Sequence, residues 1–508
     1  MGARPSVRPN PDPQVLLDVA IIGGGPAGAA AAGLLASWGH SVTVFSRSGS
    51  PSSRLAESLP PSTCKVLDRI GASSVVDGEG FVRSKGHTVW WGSSDPRIEE
   101  FPAGNMGYQV LRTDLDRVLL DLARANGARV VAETTIQGVE RDGEIYRLDH
   151  TTTGDAAPIR ARWVLDCSGR SGVIARHGFR HQEEGPTTLA LVGIWRSEEG
   201  WDVPDATHTL VESYTDGWAW SVPVDDDVRY VALMIDPHVT GLKRGKEIGP
   251  IYRSEVAKTE RFAALLEGGV PQGDPWACNA SMYSAQRFTD HHMLLVGDAA
   301  SFLDPVSSFG VKKALTSGWR AAVVTHTCLK RPDIESASVG FYEGRERRVY
   351  ASYGKQSAEV FGIAAREHRH EFWTARAAMD DRYEEPDEDG ELDIERLKRD
   401  PDVLTAFDRL RRTPSIDLRP GSALVVIERP TIKGHEVAME QRLSTPSIPG
   451  GVRYLRGIDL QRVLAIAPDH VQVPELFEAY CRMGDPVILP DFLGALSVMM
   501  SRGILDDH

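Results

Sequence analysis

The stretch LDVAIIGGGPAGAAAAGLLASWGHSVTVFSR, residues 17–47, constrains the fold more than any other part of the chain. An apolar run ends in three glycines, an alanine-rich run follows, and a second β-branched run closes the segment. Strand, glycine turn, helix and strand make a βαβ unit. Gly23, Gly25 and Gly28 within it have the spacing GxGxxG. In that spacing the first glycine permits the tight turn, the second lets backbone approach a pyrophosphate, and the third allows close helix packing. The helix N-terminus then faces phosphates. A dinucleotide site is the expectation, with one departure. Where an acidic residue would hold the ribose, this chain has Ser46 and then Arg47. A serine still hydrogen-bonds a ribose hydroxyl.

A second nucleotide signal is LLVGDAASFLDPVSSFG, residues 294–310. Asp298 follows a strand and a glycine, where a carboxylate reaches a polyol hydroxyl. By itself this segment also reads as an αβ turn with a helix-capping aspartate. Its pairing with the first unit favours the nucleotide reading.

Composition narrows the partners. The formal charge of −14 disfavours nucleic acid, because phosphate contacts need a basic surface. Cys64, Cys167, Cys278, Cys328 and Cys481 are far apart and show no metal-ligand spacing, which fits a reduced compartment. No run is long enough to span a bilayer, and the N-terminus lacks the pattern of a signal peptide. A cytoplasmic protein without a membrane partner is the expectation.

Together the two nucleotide segments resemble the FAD-dependent aromatic monooxygenase superfamily, over roughly residues 17–380. The resemblance includes Arg112 and Asp116 in LRTDLDRVL, and the DCSG turn at Asp166 to Gly169. It implies FAD as cofactor, with Arg112 contacting flavin and Asp166 supporting the nucleotide region. Two further motifs resemble the flavin-dependent halogenase branch. GWAWSVP, with Trp218, Trp220 and Pro223, matches WxWxIP with valine for isoleucine. FLDPVSSFG, with Phe302, Pro305, Ser308 and Gly310, matches the FxxPxxSxG stretch that lines the flavin and halide region.

In halogenases of this kind a lysine in GFxxKxGxxFxWG relays oxidised halogen to an aromatic carbon. Here GFVRSKGHTVWWG, residues 80–92, places Ser84 at that position and Lys85 one residue later. Neighbouring strand residues point to opposite faces, so only a bulge would return Lys85 to the site. Some relatives keep the halogenase-like body but hydroxylate aromatic rings, including tryptophan within precursor peptides.

Oxygen transfer through a flavin C4a-hydroperoxide to an electron-rich aromatic substrate is therefore the leading expectation. The substrate classes are tryptophan or phenol, free or carried on a peptide or carrier protein. Halogenation with Lys85 as relay is the alternative, and a non-catalytic FAD-binding scaffold is another. A dehydrogenase or prenyl-chain reductase shares the glycine and GD motifs, but the tryptophan pair argues against it. No separate nicotinamide domain is visible, which implies a partner flavin reductase. Candidate catalytic residues are Lys85, His87, Trp218, Trp220 and Ser308; His87 is chosen because imidazole titrates near operating pH. Candidate cofactor residues are Gly23, Gly25, Gly28, Ser46, Arg47, Arg112, Asp298, Pro305 and Gly310. His368 and His370 are two apart, not a same-face helical spacing, so no metal site is expected.

The fold expected is α/β: a Rossmann-type FAD-binding domain, an antiparallel-sheet substrate domain and a C-terminal helical, winged-helix-like module. FAD-binding segments fall at 17–85, 111–180 and 286–335, and substrate-domain strands at 86–110 and 181–285. A helical region with an acidic linker spans 336–400, and the C-terminal module spans 401–508. The first 16 residues read as a loose arm.

Overall fold

The computed structural model describes residues 16–47, 55–151, 158–181, 185–242, 247–383, 397–413, 415–484 and 487–508. The N-terminal arm and nearly all of the acidic segment YEEPDEDGELDIE lie outside the described residues. The chain forms two compact units, Met1–Glu384 and Glu385–His508.

The first unit is organised by a sheet whose central strands run parallel. Leu16–Ile22 lies between Val42–Phe45 and Ile159–Asp166, with Arg129–Val131 beyond the first of these and Met293–Leu295 beyond the second. Val19 to Ile21 are fully buried, as expected of a strand covered on both faces. The register aligns Ile22 with both Phe45 and Asp166, and Asp166 with Leu295. The carboxyl ends of four strands therefore meet in one place, and Gly23, Ser46, Cys167 and Val296 leave the sheet together. In open α/β sheets this end carries the ligand crevice.

A second sheet runs in the order Val270–Pro271, Leu189–Arg196, Val228–Ile235, Gly217–Pro223, Thr209–Tyr214, Gly86–Trp90 and Arg97–Glu100. Trp276–Asn279 also pairs with Leu189–Arg196. All pairs are antiparallel except Thr209–Tyr214 with Gly86–Trp90. The alternating pattern after residue 185 thus folds as the sequence suggests. A small sheet of Ala56–Leu59, Gly107–Leu111 and Val82–Ser84 supports the start of the helix Arg112–Ala125. Two long helices, Gly310–Lys330 and Glu335–Glu367, follow the GD segment.

The second unit has its own core, which includes Leu443, Ile448, Leu476, Phe492 and Leu496. Helix Pro401–Arg412 begins on Asp400, whose carboxylate accepts from the N–H groups of Asp402 and Val403. The antiparallel strands Val425–Lys433, Glu436–Thr445 and Ile448–Val452 form a wing-like meander. Helices Leu460–Ile466, Val473–Arg482 and Leu489–Ser501 fall in the stretches DLQRVLAIA, VPELFEAY and LPDFLGALSVMMSRGIL, each of which reads as a helical pattern in the sequence. No helix among the described residues is long and apolar enough to cross a membrane.

Candidate active site

A cavity of about 1290 Å³ runs from the strand ends of the first sheet to the face of the second. At one end lie Gly23, Gly24 and Gly25, with Ser46 and Arg47 beside them. Gly23 has φ +107°, and a Cβ there would stand 2.4 Å from the Cys167 carbonyl oxygen. A Cβ on Gly28 would stand 2.0 Å from the Gly23 carbonyl oxygen, so this glycine seats the helix Pro26–Ser37 against its own turn. Gly25 differs: its nearest neighbour would be Arg112 Nη2 at 3.8 Å, on the cavity side. The three glycines thus perform three separate tasks, and the one facing the cavity leaves room for a diphosphate. Residues, cradle and cavity size fit a bound dinucleotide.

Asp166 anchors the turn that packs directly against the glycine turn. It is fully buried, and its carboxylate accepts from the N–H groups of Ser168, Ile174 and Ala175 and from the Ser168 hydroxyl. Four hydrogen bonds to one carboxylate fix the DCSG turn while Cys167, Ser168 and Gly169 face the cavity.

Arg112 lies midway along. Its guanidinium grips Asp116 through Nε at 3.2 Å and Nη2 at 3.3 Å, and reaches Glu57 through Nη1 at 3.3 Å. Burial opposes the Arg112 charge, but Asp116 and Glu57 outweigh it and hold its pKa above the usual value. Burial likewise raises both carboxyls, with Arg112 pulling each back down. Glu57 was not legible in the sequence, because only the pairing of Glu57 with Val110 brings its strand beside Arg112.

Asp298 also lines the cavity and accepts from Lys313 Nζ at 3.3 Å. Lys313, 5% exposed, also donates to the carbonyls of Gly297 and Ser301, tying the GD turn to the following helix. Pro305, Ser308 and Gly310 line the cavity beyond it. Ser308 takes a left-handed conformation, φ +53°, and Gly310 opens a helix of 21 residues that has no side-chain cap. Asp304, buried before this turn, accepts from the Val306 N–H, and its burial pushes its pKa up to about 6.

The substrate-side wall is the second sheet. Trp218 pairs with Met234 and Trp220 with Ala232, and all four side the cavity together with Ala190, Val192 and Cys278. Trp218 is packed from behind by Trp91, whose ring centroid is 6.0 Å away.

The structure does not bring Lys85 or His87 to this cavity. Lys85 is the residue at which the chain leaves the small sheet, where Ser84 pairs with Gly107, and enters the large one, where Gly86 pairs with Glu100. Its side chain is 55% exposed, with Nζ 3.5 Å from an Asp205 carboxylate oxygen. Ser84 is buried and hydrogen-bonds the Gly86 carbonyl. His87 packs edge-on against Phe101 at 5.0 Å, and burial lowers its pKa, against the pull of Glu99. Among the described residues that line the cavity there is no lysine and no histidine. We expect Lys85→Met to change product formation by less than about twofold, as for other exposed substitutions remote from a site; initial rates of the two proteins check this. No cluster of metal ligands occurs among the described residues.

The family model for the FAD binding domain matches residues 16–321. The tryptophan 2-halogenase of Chondromyces crocatus is 27% identical over 366 residues, covering 70% of each chain. Among solved structures, the flavin-dependent halogenase CmlS aligns with a TM-score of 0.77 and 23% identity, over 97% of this chain and 96% of that one. The peptidyl tryptophan dihydroxylase QhpG, essential for tryptophylquinone cofactor biogenesis, aligns with a TM-score of 0.65 and 22% identity, over 96% of this chain and all of that one. These two likenesses show that the fold is shared across both units. With the glycine cradle, the Asp298 turn and the matched domain in place, the chain belongs to the FAD binding domain family, alongside the flavin-dependent halogenases, and is an FAD-dependent oxidoreductase.

Proposed function

We propose that this enzyme halogenates an electron-rich aromatic substrate held against the Trp218–Trp220 face. The observation that carries the reading is the Asp304–Gly310 turn. There a left-handed Ser308 leads into an uncapped helix N-terminus on the wall of the cavity that holds the glycine cradle. Backbone N–H groups in that arrangement suit a halide. Kinship with proteins named as halogenases supports the same reading over hydroxylation.

When bound and reduced, FAD supplies the electrons that activate dioxygen. This chain's residues do the rest. Gly25 and the first turn of Pro26–Ser37 would hold the diphosphate and Asp298 the polyol, and the Glu57–Arg112–Asp116 group lines the same cavity. Trp218, Trp220 and Met234 exclude water and orient the ring that reacts. Reduced FAD is delivered through a separate flavin reductase. The substrate is a tryptophan or phenol, free or carried on a peptide or protein.

Oxygen transfer is the second reading. The absence of lysine from the described cavity wall favours it, since placing oxygen on the ring needs no amine relay. One reaction separates the two: enzyme, FAD, a nicotinamide-driven flavin reductase and a panel of tryptophan, phenols and tryptophan peptides, with or without bromide. Products carrying the bromine isotope doublet, formed only with bromide, support halogenation. Products incorporating label from ¹⁸O₂ whether or not bromide is present support hydroxylation. If neither forms although FAD binds, the scaffold alternative stands.

A further inference from the structure

Seven arginines line the cavity, and most have a clear structural partner. Arg112 binds Glu57 and Asp116, Arg117 binds Glu79, and Arg124 binds Asp121. Arg180 is consumed by the carbonyls of Arg170, Asp298 and Ala299. Arg47 sits at the adenosine end, where the second strand stops. Arg170 and Arg176 remain, and no carboxylate among the described residues pairs with either.

Their positions differ. Arg176 is exposed, at the mouth of the cavity, whereas Arg170 is half-buried within it. The Arg170 guanidinium carbon lies 4.1 Å from the centroid of the Phe302 ring, at the start of the FxxPxxSxG stretch. The substrate sheet presents Cys278 to the same cavity. Burial raises the pKa of Cys278 on that sheet, and Arg170 is the leading group that opposes the rise. Phe302 and Cys278 are both walls of the cavity that Arg170 lines, and Cys278 belongs to the substrate sheet. A guanidinium stacked on an aromatic ring is held in plane with its N–H edge free, the geometry that grips a carboxylate in two parallel hydrogen bonds.

From this placement we infer that Arg170 is a specificity residue that binds a carboxylate carried by the aromatic substrate, with Arg176 at the mouth drawing the anion inward. The substrate class is thereby an aromatic acid: an aromatic amino acid, an arylalkanoate, or an aromatic residue at a peptide's C-terminus. This rests on the reading that the cavity takes an aromatic substrate.

The test is equilibrium binding to FAD-loaded protein, followed by perturbation of the flavin absorbance. The probes are indole-3-propionate, phenylacetate and 4-hydroxyphenylpropionate, each beside its primary amide. We expect at least one acid to bind about 10- to 100-fold more tightly than its amide, as a charge-assisted pair in a cavity provides. Arg170→Gln should remove that preference while FAD affinity stays within about twofold of wild type. Arg170→Lys should retain part of it, because a point charge survives without the planar fork. The inference is overturned if no acid binds, if amides bind as well as acids, or if Arg170→Gln either leaves the acid preference intact or releases FAD. Acids that bind as expected, with no halogenated or oxygenated product in the turnover assay, would leave the anion site standing and remove the catalytic reading.

Discussion

Gly25→Ala is expected to give a folded protein that has lost its flavin, and Gly28→Ala a protein that struggles to fold. The two glycines are three residues apart in one motif, yet the structure gives them unrelated work. A Cβ on Gly25 meets only Arg112 Nη2, at 3.8 Å, so the FAD-free fold has no clash to relieve. The methyl group instead occupies the space through which backbone approaches the diphosphate. FAD affinity should fall at least tenfold, about 1.4 kcal/mol or more, with the thermal midpoint of FAD-free protein shifted by no more than about 2 °C. On Gly28 the Cβ lands 2.0 Å from the Gly23 carbonyl oxygen, a backbone atom that cannot swing aside. The helix Pro26–Ser37 must then move off the sheet, and loss of several kcal/mol is expected, in the range of severe core overpacking. Flavin retained through gel filtration and the melting of FAD-free protein read the two effects separately. Equal midpoints for the two variants would show that the cradle is not divided in this way.

The second large effect is expected at Arg112. Removing it as Arg112→Met leaves Glu57 and Asp116 facing the cavity without their shared cation. The group is only partly buried, so deleting the cation is expected to cost less than for a fully buried pair, about 1–3 kcal/mol, because the remaining charges are left uncompensated. The pH dependence gives the sign. Both carboxyls already sit above their ordinary pKa through burial, and Arg112 is what limits the rise. A carboxyl with a raised folded pKa favours the native state below its unfolded pKa, about 4, and loses that contribution as pH climbs through the folded value. Without Arg112 the rise is larger and the loss extends to higher pH. The variant should therefore be much less stable than wild type at pH 7, and the gap should narrow at pH 5. Urea midpoints of both FAD-free proteins at the two pH values measure it. Arg112→Lys keeps the charge and should recover part of the stability. A gap that widened toward acid would mean that the carboxylates are ionised and satisfied without the arginine.

Local periodicity was enough for much of the scaffold. The run VAII reads as a doubly covered strand because parallel sheets are buried on both faces. Alternation in GWAWSVP puts Trp218 and Trp220 on one face, and both line the cavity. The three helical patterns of the C-terminal unit likewise need only their own spacing to be seen. Lys85 shows the limit. GFVRSKGHTVWWG reads as one continuous strand, in which Lys85 and His87 share a face. The chain instead changes sheets at Lys85, and which partners take Ser84 and Gly86 depends on Gly107 and Glu100, segments with no local signature.

What the sequence by itself indicated is the nucleotide half of the cavity: the glycine turn, Ser46, Arg47 and the Asp298 loop by their place after their own strands, and Arg112 by the resemblance carried in LRTDLDRVL; all of them line one cavity. What only the tertiary structure decided is the other half. Glu57 joins Arg112 through a strand pairing, Arg170 stacks on Phe302 from a separate element, and Lys85 turns outward to Asp205. The physical reason is the range of the forces involved. Glycine turns and amphipathic periods are fixed by backbone sterics within a few residues, whereas the environment of a charged side chain is set by whichever distant segments the sheets bring against it.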